Sequence, residues 1–563
     1  MKIIFFISLL ITFSTLAQKN RIVSFENDTP ERVNLLYKKE FKDSLSLLKR
    51  LQEERLFDIE KGYALANVDS VVWTKAGGHI YYFKGAIFEK IHLNLQEDDK
   101  NWLFESTGMT EKLIQKLPFN SKDLKQLIQT SLSFSENNGY PFANLKLSDA
   151  YFEKNELHVS LKVNKGPKMI FSEIIVKGDS SIAKKYLVNY INIKEDNPYS
   201  ELRLKQISNR IQQLPFLKEI KPHEVLFTPA GVKLYLYVES VPVSNINGII
   251  GLQQDPTTFQ SRLTGEIQLK LQNVLKRGEL LAFNWRSIQP ETQQLNVVVN
   301  YPFLLNTPFG LDAGFDLYKR DSTFLTTKTQ IGTQYFLPGG NYLKAFYEAD
   351  ISNLLSGANN GNVSTNLSNV RVNNYGLGLY RRRLDYIPNP SKGLIIAAKG
   401  SVGLRDSRAL DSLTSNKTTT YKIDIELDWY IPLAKRHILR LYNKTASYFA
   451  EEIFFNELYR FGGLNSQRGF NEEELFATTF SLSRVEYRFL VDKNSHAFAF
   501  YDQTFYENNA EDYYQDNPFG FGLGFSFGTN IGIFSLSYAL GKQFDNPILL
   551  REGKVHFGYI AYF

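Results

Sequence analysis

From Val243 onward the chain is a succession of segments of about ten residues in which apolar and polar side chains alternate, among them RLTGEIQLKLQN, ELLAFNWRS, GLDAGFDLY, LIIAAKGSVGL, KIDIELDWYI and ILRLYNKTASYF. In IFSLSYALG, Phe534, Leu536, Tyr538 and Leu540 share one face, while Ser535, Ser537, Ala539 and Gly541 share the other. A period of two sends successive side chains to opposite faces of a strand. Repeated at this length, with one apolar face for lipid, it is the signature of a transmembrane β-barrel. This feature constrains the fold most, because a bilayer core admits only helices and closed barrels. About sixteen such segments are present, an even number as expected of a bacterial barrel. Connections alternate between short ones (NTPFG, LPGGN, IPLAKRH, GTNIG) and long ones (NLLSGANNGNVSTNLSN, DSRALDSLTSNKTTT). Short turns face the periplasm and long loops the outside. A β-sandwich or propeller array is the soluble alternative.

The N-terminus weighs against that alternative. Lys2 precedes the apolar run IIFFISLLITFSTLA, with small residues at Thr15 and Ala17. This is the pattern of a secretory signal, here residues 1–17 with cleavage after Ala17. A retained membrane helix needs about 20 apolar residues, more than the run supplies. The aromatic content is carried by 43 Phe and 32 Tyr against 4 Trp, which suits strands. With no cysteine among 563 residues, disulfides, thiolate metal sites and a lipid-bearing cysteine are excluded. A net charge of +6 is small for this length and gives little support to nucleic-acid binding.

Between residues 18 and 241 helical and strand segments mix, with an internal echo. GYALANVDSVVW begins at Gly62 and GYPFANLKLSDAYF at Gly139. Each is followed by a strand, HIYYFKG or ELHVSLKVNKG, and then by the opening strand of a further unit, IFEKIHL or MIFSEIIVKG. A third unit closes with GVKLYLYVES after the helical pattern ELRLKQISNRIQQLPFL. The spacing implies tandem α+β modules at 18–85, 86–167 and 168–241, followed by a barrel over 242–563. The first module is the most degenerate.

These residues resemble the outer-membrane assembly superfamily of BamA and TamA, in which periplasmic POTRA modules (β-α-α-β-β) precede a sixteen-stranded barrel. The likeness rests on the 168–241 unit, on ENNGYPFANLKLSD, on the penultimate strands FGLGFSFGTNIGIFSLSYALG and on the aromatic final strand. It also gives a reading to GGLNSQRGFNEEEL, which strand counting puts between the eleventh and twelfth strands. The family's loop there folds into the barrel lumen with an Arg-Gly-Phe/Tyr tip, matched by Arg468, Gly469 and Phe470, although Gln467 stands where valine is common. The resemblance implies that Arg468 pairs with Glu486 of SRVEYRF and Asp502 of FAFYDQTF. Alternation puts Arg484, Glu486 and Arg488 opposite Val485, Tyr487 and Phe489; Asp502 is in phase with Phe498 and Phe500, so its side is left open.

No catalytic constellation emerges. GFSFG fits the expression of a nucleophile elbow, but Ser526 lies in an alternating strand and not at a strand-turn-helix. The seven histidines are scattered, and neither a zinc motif nor a phosphate loop is present. RRRLDYIPNPSKG reads as an interfacial strand end, and the acidic YENNAEDYYQD as a solvated loop.

The resemblance implies a non-enzymatic assembly or translocation factor in the outer membrane of a Gram-negative bacterium, its modules in the periplasm, needing no nucleotide, metal or cofactor. Its partners would be unfolded outer-membrane or secreted clients, the lipid bilayer and an inner-membrane-anchored periplasmic protein, with no nucleic acid. Clients would pass a seam between the first and last strands, where Gly248, Gly251 and Gly558 weaken packing. Phe557, Tyr559 and Phe563 resemble the barrel assembly signal. Three modules resemble TamA more than BamA, which usually carries five. The alternative is a two-partner exporter dedicated to one secreted protein.

Overall fold

A computed structural model describes residues 20–27, 40–41, 44–74, 77–110, 117–119, 121–178, 182–254, 261–287, 292–356, 366–387, 389–409, 415–510, 512–529 and 532–561. The leader expected at 1–17, Phe563 and the side chain of Tyr559 lie outside them. The chain divides into two compact units, 1–170 with 198–201, and 171–197 with 202–563.

The first unit holds two small sheets. Asn20–Asn27 runs parallel to Gly77–Phe83, which pairs antiparallel with Asn67–Thr74. Helix Ser44–Glu60 covers this sheet by packing Leu47 and Leu51 against Ile80 and Tyr82. In the second sheet Lys90–Asn94 lies parallel to Glu156–Asn164, itself antiparallel to Asn144–Glu153. Helices Glu97–Thr107 and Ser121–Asn137 supply Leu103 and Leu127 to its core. The helical crossover between first and last strands accounts for their parallel pairing. The first helix opens on Glu97, Asp98 and Asp99, where the helix dipole favours anions, and stops at Gly108 with φ 67°.

The sequence echo has a structural cause. Gly62 and Gly139 each follow a module helix, at φ 105° and 96°. Their carbonyls accept the N–H of Phe88 at 2.8 Å and of Met169 at 2.7 Å, the points where the next module's first strand is about to begin. A Cβ on Gly62 would lie 2.9 Å from the Phe88 oxygen, so the glycine is required twice over, by backbone angle and by close approach.

The second unit begins with a three-stranded sheet in which Phe171–Gly178 lies parallel to Gly231–Ser240, which pairs antiparallel with Leu217–Thr228. Sixteen long strands follow: β1 (Asn245–Gln254), β2 (Ser261–Gln272), β3 (Leu280–Ser287), β4 (Gln293–Tyr301), β5 (Phe309–Arg320), β6 (Phe324–Leu337), β7 (Asn341–Leu354), β8 (Ser368–Leu384), β9 (Gly393–Ala409), β10 (Asn416–Ala434), β11 (His437–Phe449), β12 (Thr479–Leu490), β13 (His496–Asn508), β14 (Phe519–Thr529), β15 (Gly532–Lys542) and β16 (Lys554–Ala561). Each pairs antiparallel with the next; a seventeenth, the three-residue Tyr514–Asp516, only extends β13.

The barrel is polar inside and apolar outside. On β12, Arg484, Glu486 and Arg488 are at most 7% exposed, while Val485, Tyr487 and Phe489 are 37–48% exposed. Val555 and Phe557 of β16 also face outward. β16 returns to lie against β1. Among the described residues no hydrogen-bonded ladder joins these two strands. Gly248 and Gly251 pair instead with Ile267 and Thr264 of β2, and Gly558 with Ser535 of β15.

The three-stranded module is seated on the turns at one end of this barrel. Its helix Lys184–Ile191 carries Tyr186 and Tyr190 one turn apart, hence on one face. Tyr186 packs edge-on to Phe303 and over Gly278, where any Cβ would collide with the ring. The Tyr190 hydroxyl donates to the Gly339 carbonyl at 3.2 Å. Burial pushes that hydroxyl's pKa up to about 12, so it remains a donor at physiological pH. Ala183 donates its N–H to Lys276, and Gln213 exchanges hydrogen bonds with the backbone of Leu384. The module thus touches the β2–β3, β4–β5, β6–β7 and β8–β9 connections.

Candidate functional site in the barrel lumen

The β11–β12 connection, residues 450–478, folds inward. A short hairpin, Tyr459–Phe461 against Leu475–Ala477, gives it shape. Phe461, Phe470, Leu475 and Ala477 form an apolar cluster with Ala446 of β11, Phe480 and Leu482 of β12, and Tyr506 of β13. Phe470 therefore packs on both loop and wall.

At the tip, Arg468 is 4% exposed and spends its guanidinium on two carboxylates. Nε and Nη2 each donate to Asp502 at 2.8 Å, and Nη1 donates to Glu486 at 2.8 Å. This is the bidentate geometry that a planar five-donor group matches and an ammonium does not. The cation also stacks on Phe500, 3.4 Å from the ring centroid. Asp502 therefore points into the lumen with Phe498 and Phe500, and the phenyls that left its side undetermined are a lumenal platform. Gln467 is fully buried: its amide donates to the Asp502 carbonyl at 3.2 Å, and its oxygen accepts from Thr504 at 2.6 Å. That is work a valine has no atoms for.

Neither carboxylate depends on Arg468 alone. Asp502 also accepts from Arg484 at 2.9 and 3.2 Å, as their directly opposed positions on β12 and β13 dictate. Glu486 accepts from Arg488 at 2.7 Å and lies 3.6 Å from Arg440, which holds Asp428 bidentately. Four arginines thus interleave with three carboxylates.

Glycines make room for the loop backbone. Gly469 has φ 92°, and a Cβ there would stand 2.8 Å from the nitrogen of Gly541 on β15. A Cβ on Gly520 of β14 would collide with the Arg468 carbonyl. Toward β16, Gly469 donates its N–H to His556 Nε2 at 3.4 Å, and Leu464 lies over Gly558.

Two further anchors had no distinguishing mark in the sequence. Arg405 of β9, 1% exposed, forks onto Glu457 of the loop at 2.9 and 2.7 Å. Glu457 also accepts from Tyr448 at 2.8 Å and from the Phe454 N–H at 3.0 Å. Beside it, Asn456 donates to the Ser352 hydroxyl and the Ser368 carbonyl, both at 2.8 Å. On the other side, Glu473 accepts from Gln294 of β4 at 2.7 Å and from Arg286 of β3 at 3.3 Å. Ser526 sits mid-strand in β14, facing Ser535 and His496 on the flanking strands.

The Omp85 superfamily domain matches residues 255–559. Among solved structures, the chain is similar to CdiB from Escherichia coli, with 13% identity, TM-score 0.54, and 92% of this chain and 97% of that one covered. CdiB from Acinetobacter baumannii follows with 13% identity, TM-score 0.52 and coverage of 84% and 90%. BamA from Haemophilus ducreyi lacking POTRA domains 1–3 aligns at 15% identity and TM-score 0.45, over 84% and 99%. Curated proteins give no sequence match.

Proposed function

The chain belongs to the Omp85 superfamily, and on that premise we propose that it inserts or translocates client proteins at the seam between β1 and β16. The carrying observation is that these strands lie side by side without a described ladder, while each other neighbouring pair of described barrel strands is joined by an antiparallel ladder. Strands elsewhere resist separation through many backbone hydrogen bonds; here a client strand can add to an open edge at small cost. Nothing in this reading calls for catalysis, nucleotide, metal or cofactor.

The N-terminal modules are the client-receiving part, placed in the periplasm. Strand Asn144–Glu153 is a sheet edge with Leu147, Tyr151 and Phe152 exposed, features suited to an extended, unfolded segment. A register shift between Ser148 and Tyr151, with Asp149 at φ 53°, bends that edge and limits indiscriminate pairing. An inner-membrane-anchored periplasmic protein is a further partner in this reading, and the aromatic sequence pattern of Phe557, Tyr559 and Phe563 serves the chain's own insertion.

A general assembly role, TamA-like in its three modules, is favoured over a dedicated exporter. Helix Ser44–Glu60 packs Leu47 and Leu51 into a module core, which supports a third module at the place where an exporter would carry a free plug helix. Depletion followed by quantitative proteomics of outer membrane and culture medium tests this. Loss of several barrel proteins is the expected result; loss of one secreted protein with the barrels intact would assign the exporter role.

A further inference from the structure

The acidic run after the Arg-Gly-Phe tip, Glu472 to Glu474, has no part in the arginine network. Its neighbours are on the far side of the seam. Arg286 of β3 lies 3.5 Å from Glu472 and 3.3 Å from Glu473. Gln294 of β4 donates to Glu473 at 2.7 Å while accepting from Arg286 at 2.7 and 3.1 Å. Arg460, stacked 3.4 Å over Tyr318 of β5, closes the group 3.4 Å from Glu473. Glu473 holds φ 55°, sparsely populated for a residue with a Cβ and kept only where surrounding contacts over-determine it.

Four residues earlier, Gly469 bonds to His556 of β16 and fits against Gly541 of β15. The chain between Gly469 and Glu473 therefore leaves the last strands and arrives at β3. The backbone turns at Glu472 and Glu473, so the span to the first strands is completed by side chains, the Glu473 carboxylate meeting Arg286 and Gln294.

The geometry points to Glu473 as a positioning residue: with Arg286 and Gln294 it ties the lumenal loop across the inside of the unladdered seam, a strap that keeps β1 against β16 until the loop moves. This rests on the proposed function in so far as the seam is the client route. Holding by the strap accounts for how two strands that share no described ladder stay adjacent. It also assigns different tasks to two parts of the loop, with Arg468 fixing the tip to β12 and β13 and Glu473 bridging to the first strands.

The test uses the full-length chain in lipid nanodiscs, spin-labelled at Ile246→Cys and Phe557→Cys, both outward-facing, in a protein with no native cysteine. Pulsed electron resonance then reads the β1–β16 distance distribution at equal folded fraction, monitored by heat-modifiable mobility. Glu473→Gln removes a charge-assisted anchor and is expected to shift the closed–open ratio roughly tenfold toward a longer, broader population. Arg286→Gln breaks the same bridge from the wall and serves if the first variant folds poorly. The double variant should open no further than either single one, since they share one bridge. Glu474→Gln, whose carboxylate caps Asn471 within the loop, should match the parent. Unchanged distributions in Glu473→Gln and Arg286→Gln, or fully additive opening in the double variant, overturn the strap. If the distances shift as expected but client assembly is unaffected, the strap stands and the proposed client route fails.

Discussion

Two walls of the same lumen are built from opposite kinds of cation. On β10–β13, Arg440, Arg484, Arg488 and the loop's Arg468 interleave with Asp428, Glu486 and Asp502; Arg468, Arg484 and Arg488 are at most 7% exposed. On β5–β10, Lys328, Lys399 and Lys422 face Asp312, Glu348 and Asp424 around a cavity of about 450 Å³. Arginine is weakly hydrated and presents a rigid fork, so its pairs tolerate a dry site and fix geometry; lysine is a strongly hydrated point charge on a flexible stem. The arginine wall fixes the loop's tip, whereas the β5–β10 side, apart from Arg405 at the loop's base, lines the cavity with lysine.

Breaking the arginine wall at its shared acceptor should have the largest effect. Asp502→Ala leaves two buried arginines without that carboxylate and is expected to cost about 3–5 kcal/mol in reversible unfolding from lipid or detergent, and to free the loop for proteolysis. Arg405→Ala strips Glu457 of its bidentate partner, so a loss of about 3 kcal/mol by the same assay would show that the base of the loop is held as firmly as its tip. Arg468→Ala should cost less, about 1–3 kcal/mol, because Asp502 keeps Arg484 and Glu486 keeps Arg488; a loss equal to that of Asp502→Ala would mean the carboxylates do depend on Arg468. On the lysine wall, Lys399→Gln, half-exposed and 3.5 Å from Asp424, is expected to change stability by no more than about 0.5 kcal/mol. A loss as large as that of Arg468→Ala would erase the distinction between the walls.

Sequence reading reached the barrel because alternation is local and repeats in strand after strand. It separated Glu486 from Tyr487 for the same reason. The side of Asp502 was not readable: Phe498 and Phe500 in its phase normally mark a lipid face, and only the loop's cation, stacked on Phe500, explains phenyls in a lumen. Arg405 and Glu457 gave no signal, since a β9 arginine inside a polar alternation looks like any lumen-facing residue and its partner lies 52 positions away. That Arg484 shares Asp502 follows from cross-strand register, which composition does not disclose. Nothing in the spacing of Tyr186 and Tyr190 says what they pack against; the glycine turns beneath them reveal a docked face.

The most direct test of the account is a reversible lock on the seam. Cysteines at facing positions of β1 and β16, in an otherwise cysteine-free chain, allow the folded protein to be oxidised or reduced in place while insertion of a radiolabelled barrel client into proteoliposomes is followed. Insertion that stops in the oxidised form and returns on reduction is the predicted result. Insertion at equal rates in both forms, with the cross-link verified as complete, would contradict passage between β1 and β16.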